Sequence, residues 1–335
     1  MCLKNILIFS IISLAEIKVH SINYYSGTST ICHQIGGRMR CFSNNNPNYN
    51  NINGNGSIVV TKDDNNVTTW NINDINEEYT IQNHDNNTNI VNINNNKKSL
   101  IIENNVNNTN EVNIKNINDV TKISNFNNNN NTITIGSNSN SITINSNSNN
   151  LNDINIKKNS KIINIQNYNN NLDAINIEND SDQIIIKDNS NNNKVLTVGK
   201  NSNVISITSN NNNNNEININ NDNIGNITIS NNNNNVNSIF VKNNKAINIR
   251  NNNNNVVTIT INANSELITI NNNKNNVLTI IINGDSKLII INNGKNNVND
   301  ITIKGKEGKV IINESNHITN VNTINGNNYY GWTDY

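Results

Sequence analysis

Acidic side chains are the first residues to consider for chemistry in this chain, whose 24 basic and 24 acidic residues leave no formal net charge. Four acids stand before successive versions of one strand motif and are expected to face outward: Glu111, Asp153, Glu216 and Asp300. Hydrolysis of a glycosidic bond by an acid–base pair needs two carboxyl groups about 5–10 Å apart. The period of the sequence places these acids two or more coils apart, so they are predicted to be separate surface charges.

The histidines and the charge balance exclude further chemistries. The four histidines lie far apart along the chain: His20, His33, His84 and His317. None has a cysteine or carboxylate partner at metal-ligand spacing. The chain as a whole lacks the excess of basic residues that binding to nucleic acid requires. We therefore expect no catalytic residue, no cofactor, no metal ion and no nucleic-acid partner.

The first fifteen residues have the pattern of a signal peptide. Lys4 precedes an apolar run, Ile6–Leu14, and the small residues Ser13 and Ala15 suit signal peptidase. We expect segment 1–15 to be removed, with Ser21 as a later cleavage option and a buried strand or helix as the alternative. The run is too short to cross a bilayer, so no membrane span is predicted.

The two cysteines that follow the predicted signal peptide are predicted to close a hairpin. Cys32 and Cys41 flank a segment in which Gly36 and Gly37 supply a tight turn. A disulfide between them suits secretion and would pin an N-terminal cap over residues 16–48. A secreted chain also exposes its glycosylation sequons, which begin at Asn55, Asn66, Asn86, Asn107, Asn130, Asn179, Asn226 and Asn313.

A period of 21 residues organises the rest of the sequence. In each repeat, strand A carries two apolar residues two positions apart, and strand B does the same nine residues later. Ile133 and Ile142 begin one such pair of strands, and Ile154 and Ile163 begin the next. Alternation with period two is typical of a strand that buries one face. The phase slips by one residue only at Ile227 and Ile239.

The turns repeat with the strands. A pair of asparagines precedes most versions of strand A, as at Asn254 and Asn255, and serine often precedes strand B. Asparagine tolerates a left-handed backbone, and stacked amides can bond to their equivalents in the next coil. Although asparagine makes up about a third of the chain, which otherwise favours disorder, this regularity favours an ordered stack.

The pattern predicts an all-β parallel β-solenoid over residues 49–313. It would contain about thirteen coils in a rod roughly 60 Å long at about 4.8 Å per coil, with right-handed winding expected. Trp70 and Tyr79 are expected inside an early coil, and residues 314–335 form an aromatic C-terminal cap or tail. The repeat resembles those of parallel β-helix proteins and, more narrowly, secreted repeat proteins built from N-N-x-V-T-V units.

Between the two buried positions of strand A lies one outward residue per coil, here called the outer column. Its candidate binding residues are Asn113, Thr134, Asn155, Asn176, Thr197, Asn218, Thr260 and Thr302. The first hypothesis is a secreted, non-enzymatic structural or adhesive solenoid of an extracellular matrix or coat, able to self-associate. The second is a module whose flat Asn/Thr face binds ice or an insoluble polysaccharide. A polysaccharide-active β-helix enzyme is the third.

Overall fold

The residues that the computed structural model describes form β-strands joined by short turns. The backbone is described for residues 25–26, 30–35, 38–43, 48–53, 57–62, 67–73, 78–83, 87–94, 98–115, 119–136, 139–157, 160–178, 181–199, 202–220, 225–242, 245–262, 264–295, 297–314 and 319–332, and side chains are described between 69 and 313 with a few further gaps. The strands are β1 Tyr25–Ser26, β2 Thr30–Ile35, β3 Arg38–Ser43, β4 Asn48–Asn53, β5 Ser57–Lys62, β6 Val67–Asn73, β7 Tyr79–Asn83, β8 Thr88–Asn94, β9 Leu100–Val106, β10 Thr109–Lys115, β11 Val120–Asn127, β12 Asn130–Ile135, β13 Ser139–Ser148, β14 Leu151–Ile156, β15 Ser160–Asn169, β16 Leu172–Ile177, β17 Ser181–Ser190, β18 Asn193–Val198, β19 Ser202–Asn211, β20 Asn214–Ile219, β21 Asn226–Asn233, β22 Val236–Lys242, β23 Ala246–Asn253, β24 Val256–Asn262, β25 Leu267–Lys274, β26 Val277–Ile282, β27 Leu288–Lys295, β28 Val298–Glu314 and β29 Thr319–Trp332.

The strands stack into two parallel sheets, which confirms the predicted β-solenoid. Sheet A consists of the even-numbered strands from β4 to β26 and the first part of β28. Sheet B consists of the odd-numbered strands from β3 to β27 and the second part of β28. Ile133 of β12 pairs with Ile154 of β14 in sheet A, and Ile142 of β13 pairs with Ile163 of β15 in sheet B. Each turn of the rod therefore contributes one strand to each sheet.

The interior follows the alternation of the sequence. In β14, Ile154 and Ile156 are buried, whereas Leu151 and Asp153 are exposed. Trp70 is also buried, as expected. Burial of one aliphatic side chain contributes roughly 1.5–3 kcal/mol, and the coils above and below supply most of its contacts. Stability therefore comes from stacking of neighbouring coils.

The one irregular coil length is absorbed in the turn between the sheets. Ile217 pairs with Ile239, 22 residues later, and Ile239 pairs with Ile259, 20 residues later. The extra residue lies between Ile219 and the start of β21, and the missing one lies between Val241 and the start of β23. The phase slip seen in the sequence thus leaves the strand register intact.

The number of coils is smaller than predicted. Hydrogen bonds between equivalent asparagines link Asn87 to Asn297 through ten successive turns, and the repeating rod has about ten turns rather than thirteen. The prediction counted every repeat between residues 49 and 313, including the outer coils of sheets A and B that lie beyond the ten turns joined by these asparagine bonds. At about 4.8 Å per coil, ten turns extend about 48 Å.

Non-repeating strands lie at both ends of the rod. β2 and β3 form an antiparallel hairpin in which Cys32 stands opposite Cys41, and β3 pairs in parallel with β5 at the edge of sheet B. Directly opposed residues suit disulfide geometry, but these side chains lie outside those described, so the disulfide stays a prediction. At the other end β29 runs parallel to β28, opposing Tyr329 to Ile311.

Two further sequence predictions concern the N-terminus and membranes. Segment 1–15, the predicted signal peptide, lies outside the described residues. Within the part of the chain that is described, no helix is long and apolar enough to cross a membrane.

Candidate functional site

The outer column is a continuous stack on the outside of sheet A. Its residues pair with one another from coil to coil, as Asn155 does with Asn176 and Asn176 with Thr197. Each is partly exposed. The structure therefore brings together Asn113, Thr134, Asn155, Asn176, Thr197 and Asn218 in consecutive coils, and Phe240 and Ile281 interrupt the column before Thr260 and Thr302.

Many amides of the outer column are held by neighbouring side chains. Asn113 Nδ2 donates to Asn92 Oδ1 in the preceding coil at 3.1 Å and to Glu111 Oε1 at 2.9 Å. Asn155 Nδ2 donates in the same way to Asp153 Oδ1 at 3.0 Å. These acids are exposed, and Thr132 lies between Glu111 and Asp153 in the sheet. The outward acids are thus two coils apart here, as predicted, which is about 10 Å and lies at the upper limit of the separation that an acid–base pair uses.

Near the C-terminal end, the outside of sheet A carries exposed apolar side chains among hydroxyl groups. Four valines in consecutive coils begin their strands and are 43–52% exposed: Val236, Val256, Val277 and Val298. Beside them on the same face stand Ser238, Phe240, Thr258, Thr260, Thr279, Ile281, Asp300 and Thr302. We call these twelve residues the apolar patch. Asp300 is its single charged member, so the patch can contact another surface with little cost of desolvating charge.

The corner where sheet B leads to sheet A is built from the paired asparagines. The first asparagine of each pair is left-handed, with φ between 51° and 55° from Asn107 to Asn275. The second is buried, and its Oδ1 accepts the backbone N–H of its equivalent in the preceding coil at 2.8–2.9 Å. We call this second series the corner ladder. Both predicted roles of asparagine, left-handed turn and stacked amide, are present.

The half of the interior next to this corner is polar. In most coils, two inward positions carry buried polar side chains. One position follows the apolar pair of strand B, and the other precedes the apolar pair of strand A. We call them the B row and the A row. The B row is Asn104, Asn125, Ser146, Asn167, Asp188, Ser209, Asn231, Asn251, Asn272 and Asn293. The A row is Asn89, Asn110, Asn131, Asn152, Asp173, Lys194, Asn215, Asn237, Val257, Leu278 and Asn299.

Hydrogen bonds along and across these rows offset the burial of the amides. Along the B row, Asn251 Nδ2 donates to Asn272 Oδ1 at 2.9 Å. Across the rows, Asn152 Nδ2 donates to Ser146 Oγ at 3.1 Å. A buried polar group without a partner costs about 1–3 kcal/mol, so the register that aligns the amides is part of what stabilises the rod.

Three ionisable side chains meet in the middle of the polar interior. Lys194 Nζ contacts Asp188 Oδ2 in an ion pair whose two side chains are fully buried. Asp173 lies next to Lys194 in the A row, one coil earlier. Burial raises the pKa of the Asp173 carboxyl to about 7; the hydrogen bond from Asn152 and the charge of Lys194 oppose that rise, and the charge of Asp188 adds to it.

This cluster was not predicted from the sequence, because only apolar residues were assigned to the interior. A signal was nevertheless present. Asp188 lies two residues after Ile186, and Lys194 lies two residues before Leu196, so strict alternation places both inward. Asp173 and Lys194 lie on the inner face of the strands whose outer face carries the predicted outer column, and Asp188 lies in sheet B, so the column and the cluster do not meet.

The predicted glycosylation sites differ in their surroundings. Asn107, Asn130 and Asn226 are exposed, which is the arrangement that a surface glycan requires. Asn313 is partly buried, and its Nδ2 donates to Asn292 Oδ1 at 2.7 Å. The other four sequons, at Asn55, Asn66, Asn86 and Asn179, begin outside the described residues.

Comparison with known proteins adds no relative to this picture: no family model matches the chain, and no curated protein or solved structure matches it significantly.

Proposed function

We propose that the protein is a non-enzymatic structural or adhesive rod of the extracellular space. The observation that carries this proposal is the apolar patch. It covers four consecutive coils of one parallel sheet, and its four valines are about half exposed. Contiguous apolar surface of this kind mostly serves contact with another surface.

The rod suits a role in which shape matters more than a single pocket. The corner ladder connects ten turns without interruption. On the outside of sheet A, side chains stand in a grid of about 4.8 Å along the rod and about 6.6 Å along each strand. A second copy of the chain, or another component of a coat or matrix, can contact many equivalent points of such a surface at once.

The extracellular setting rests on three sequence features. These are the leader-like segment 1–15, the opposed Cys32 and Cys41, and the exposed sequons such as Asn107. The resemblance of the repeat to secreted N-N-x-V-T-V proteins supports the same setting.

A binding module for ice or an insoluble polysaccharide is the second candidate, and the regular outer column favours it. Thr258, Thr260 and Thr279 occupy neighbouring points of the grid, and the amides of Asn92 and Asn113 are fixed by bonds between coils. Hydroxyl and amide groups at fixed spacing suit a ligand that is itself periodic. Binding to such a solid would involve the whole outer column, including its residues outside the apolar patch, whereas self-association would involve the apolar patch alone.

Sedimentation velocity and a depletion assay on the purified chain separate the two functions. For the adhesive rod, we expect concentration-dependent association that Val256→Lys with Val277→Lys abolishes. Thr228→Lys with Asn248→Lys is the matched control, since both residues are exposed on sheet B. For the second candidate, ice, chitin or cellulose would deplete the protein selectively, and Thr134→Lys with Thr197→Lys, two outer-column changes outside the apolar patch, would prevent it.

Two outcomes would contradict these functions. A wild-type chain that stays monomeric at all concentrations, and that no matrix component retains, contradicts the adhesive rod. Equal depletion by an inert powder contradicts specific recognition of an ordered solid.

A further inference from the structure

The packing of this rod does not require ionisable side chains at the positions of Asp173, Asp188 and Lys194. Most other members of the A row and the B row are neutral amides or hydroxyls that bond to their equivalents in adjacent coils. Three ionisable side chains replace them in two successive coils. Burying charge is costly unless pairing and hydrogen bonds compensate for it.

The charged state of this cluster is poorly satisfied. A lysine ammonium has three N–H donors, and among the described residues Lys194 Nζ donates a hydrogen bond only to Asp188 Oδ2. Asp173 Oδ2 is buried and has no hydrogen-bond partner among the described residues. Asp188 Oδ1, by contrast, accepts a hydrogen bond from Asn167 Nδ2 at 2.9 Å. The cluster therefore holds surplus donors on the amine and a spare acceptor on the adjacent carboxyl.

We propose that Lys194 and Asp188 condense to an intramolecular amide bond inside the folded rod, with Asp173 transferring the proton. The neutral amine attacks Cγ of the protonated Asp188 carboxyl and forms the new C–N bond. The C–Oδ2 bond then breaks, and one proton from nitrogen leaves with that oxygen as water. No oxidant or other reactant is needed, because an ammonium and a carboxylate give one amide and one water molecule.

Each neighbouring group has a defined part in this step. The Asn167 amide is placed to stabilise the negative charge that develops on Asp188 Oδ1. Asp173 is the adjacent residue of the A row, and burial raises the pKa of its carboxyl to about 7, which suits proton transfer near neutral pH. Exclusion of water from the fully buried pair opposes hydrolysis of the product.

The amide product also leaves fewer hydrogen-bonding groups of the site without a partner than the ion pair does. An amide has a single N–H donor, which can bond to the free Asp173 Oδ2, and its carbonyl keeps the bond from Asn167. Both charges of the pair disappear from the interior. The bond links the B row to the A row across the corner between β17 and β18, and therefore closes a covalent loop over residues 188–194.

Peptide mass spectrometry of the purified full-length chain tests this proposal. Trypsin is expected to leave Asp188–Lys200 as one peptide, uncut after Lys194, lighter than its sequence mass by one water molecule. An aspartyl succinimide would also lose water, but it would leave Lys194 open to trypsin and to amine labelling. Cleavage after Lys194, with the free amine labelled in the unfolded chain, would overturn the proposal and leave a simple buried ion pair.

Two variants separate the roles of the residues. Lys194→Met removes the nucleophile and must restore the full peptide mass. Asp173→Asn keeps the size of the side chain and resembles Asn152 of the preceding coil; it should slow bond formation by about 100-fold or more, as loss of a proton-transfer group does. Undiminished bond formation in a folded Asp173→Asn chain would refute the role of Asp173. Circular dichroism establishes that each variant folds.

Discussion

Asparagine performs a different task at each position of the coil. At the first residue of a corner pair, such as Asn254, it adopts the left-handed backbone. At the second, such as Asn255, its Oδ1 caps a backbone N–H, and its Nδ2 donates to the carbonyl oxygens of Asn231 and Asn232 at 3.2 Å. In the B row it bonds to its equivalents. A short side chain with both a donor and an acceptor can fill all three positions, which explains its abundance.

The corner ladder makes a prediction at single residues. Asn255→Ala leaves the buried N–H of Asn235 without its 2.9 Å acceptor and removes the donor that serves two carbonyls. We expect the free energy of unfolding to fall by about 3 kcal/mol. Urea denaturation measures this change, and hydrogen exchange at the Asn235 amide should accelerate. The control Asn220→Ala, at an exposed position, should change stability by less than about 0.5 kcal/mol; equal effects would contradict the role of the ladder.

A pH dependence follows from Asp173. Its pKa rises from 3.8 when unfolded to about 7 when folded, so the folded chain binds the extra proton between these values. The contribution to stability is fully present below pH 3.8 and is lost as the pH rises through about 7. It is on the order of 4 kcal/mol.

Thermal melts at pH 4.5 and 7.5 test this dependence. The wild-type Tm should fall more across this interval than the Tm of Asp173→Asn, which has no titrating group there. Because burial is the largest cause of the raised pKa, the effect is expected with or without the proposed amide bond. Parallel pH profiles for the two chains would contradict it.

At the scale of elements, the two turns of each coil differ in their tolerance of length. The turn from sheet A to sheet B gains one residue after Ile219 and loses one after Val241 while the strands stay in register. The corner from sheet B to sheet A keeps one left-handed asparagine and one ladder asparagine in each described coil from Asn107 to Asn276. The corner ladder therefore fixes the register.

Single-glycine insertions test this difference. One glycine between Asn283 and Gly284, in the turn from sheet A to sheet B, should cost less than about 1 kcal/mol because loop entropy changes slowly with length. The same insertion between Asn275 and Asn276 displaces the ladder bond to Asn297 and shifts the following strand by one residue. We expect a loss of about 3 kcal/mol or more there. Denaturation midpoints of the two variants give the comparison, and similar midpoints would argue against a register set at the corner.

At the scale of the whole molecule, the rod has an aliphatic half and a polar half in its interior. Ile268 and Ile280 lie in the aliphatic half, and Asn272 lies in the polar half. Each coil completes the hydrogen bonds and contacts of its neighbours, so cooperativity passes along the rod. At the two ends of the described stack, the β2–β3 hairpin pairs with β5 and β29 pairs with β28. Such end strands limit uncontrolled edge-to-edge growth, which leaves the apolar patch as the proposed lateral contact.

The sequence by itself determined the parallel solenoid, the aliphatic interior and the tasks of the corner asparagines. These three features follow from the local alternation of apolar and polar residues and from the 21-residue period, both of which act within each repeat. Ile133, Ile154 and Asn255 are examples. Only the tertiary structure decided that the rod has about ten regular turns and that polar side chains, mostly asparagine, fill the half of its interior next to the corner. A polar side chain such as Asn251 is stable inside only when the next coil supplies its partner. The meeting of Asp188 with Lys194 depends in the same way on how the corner folds across the stack.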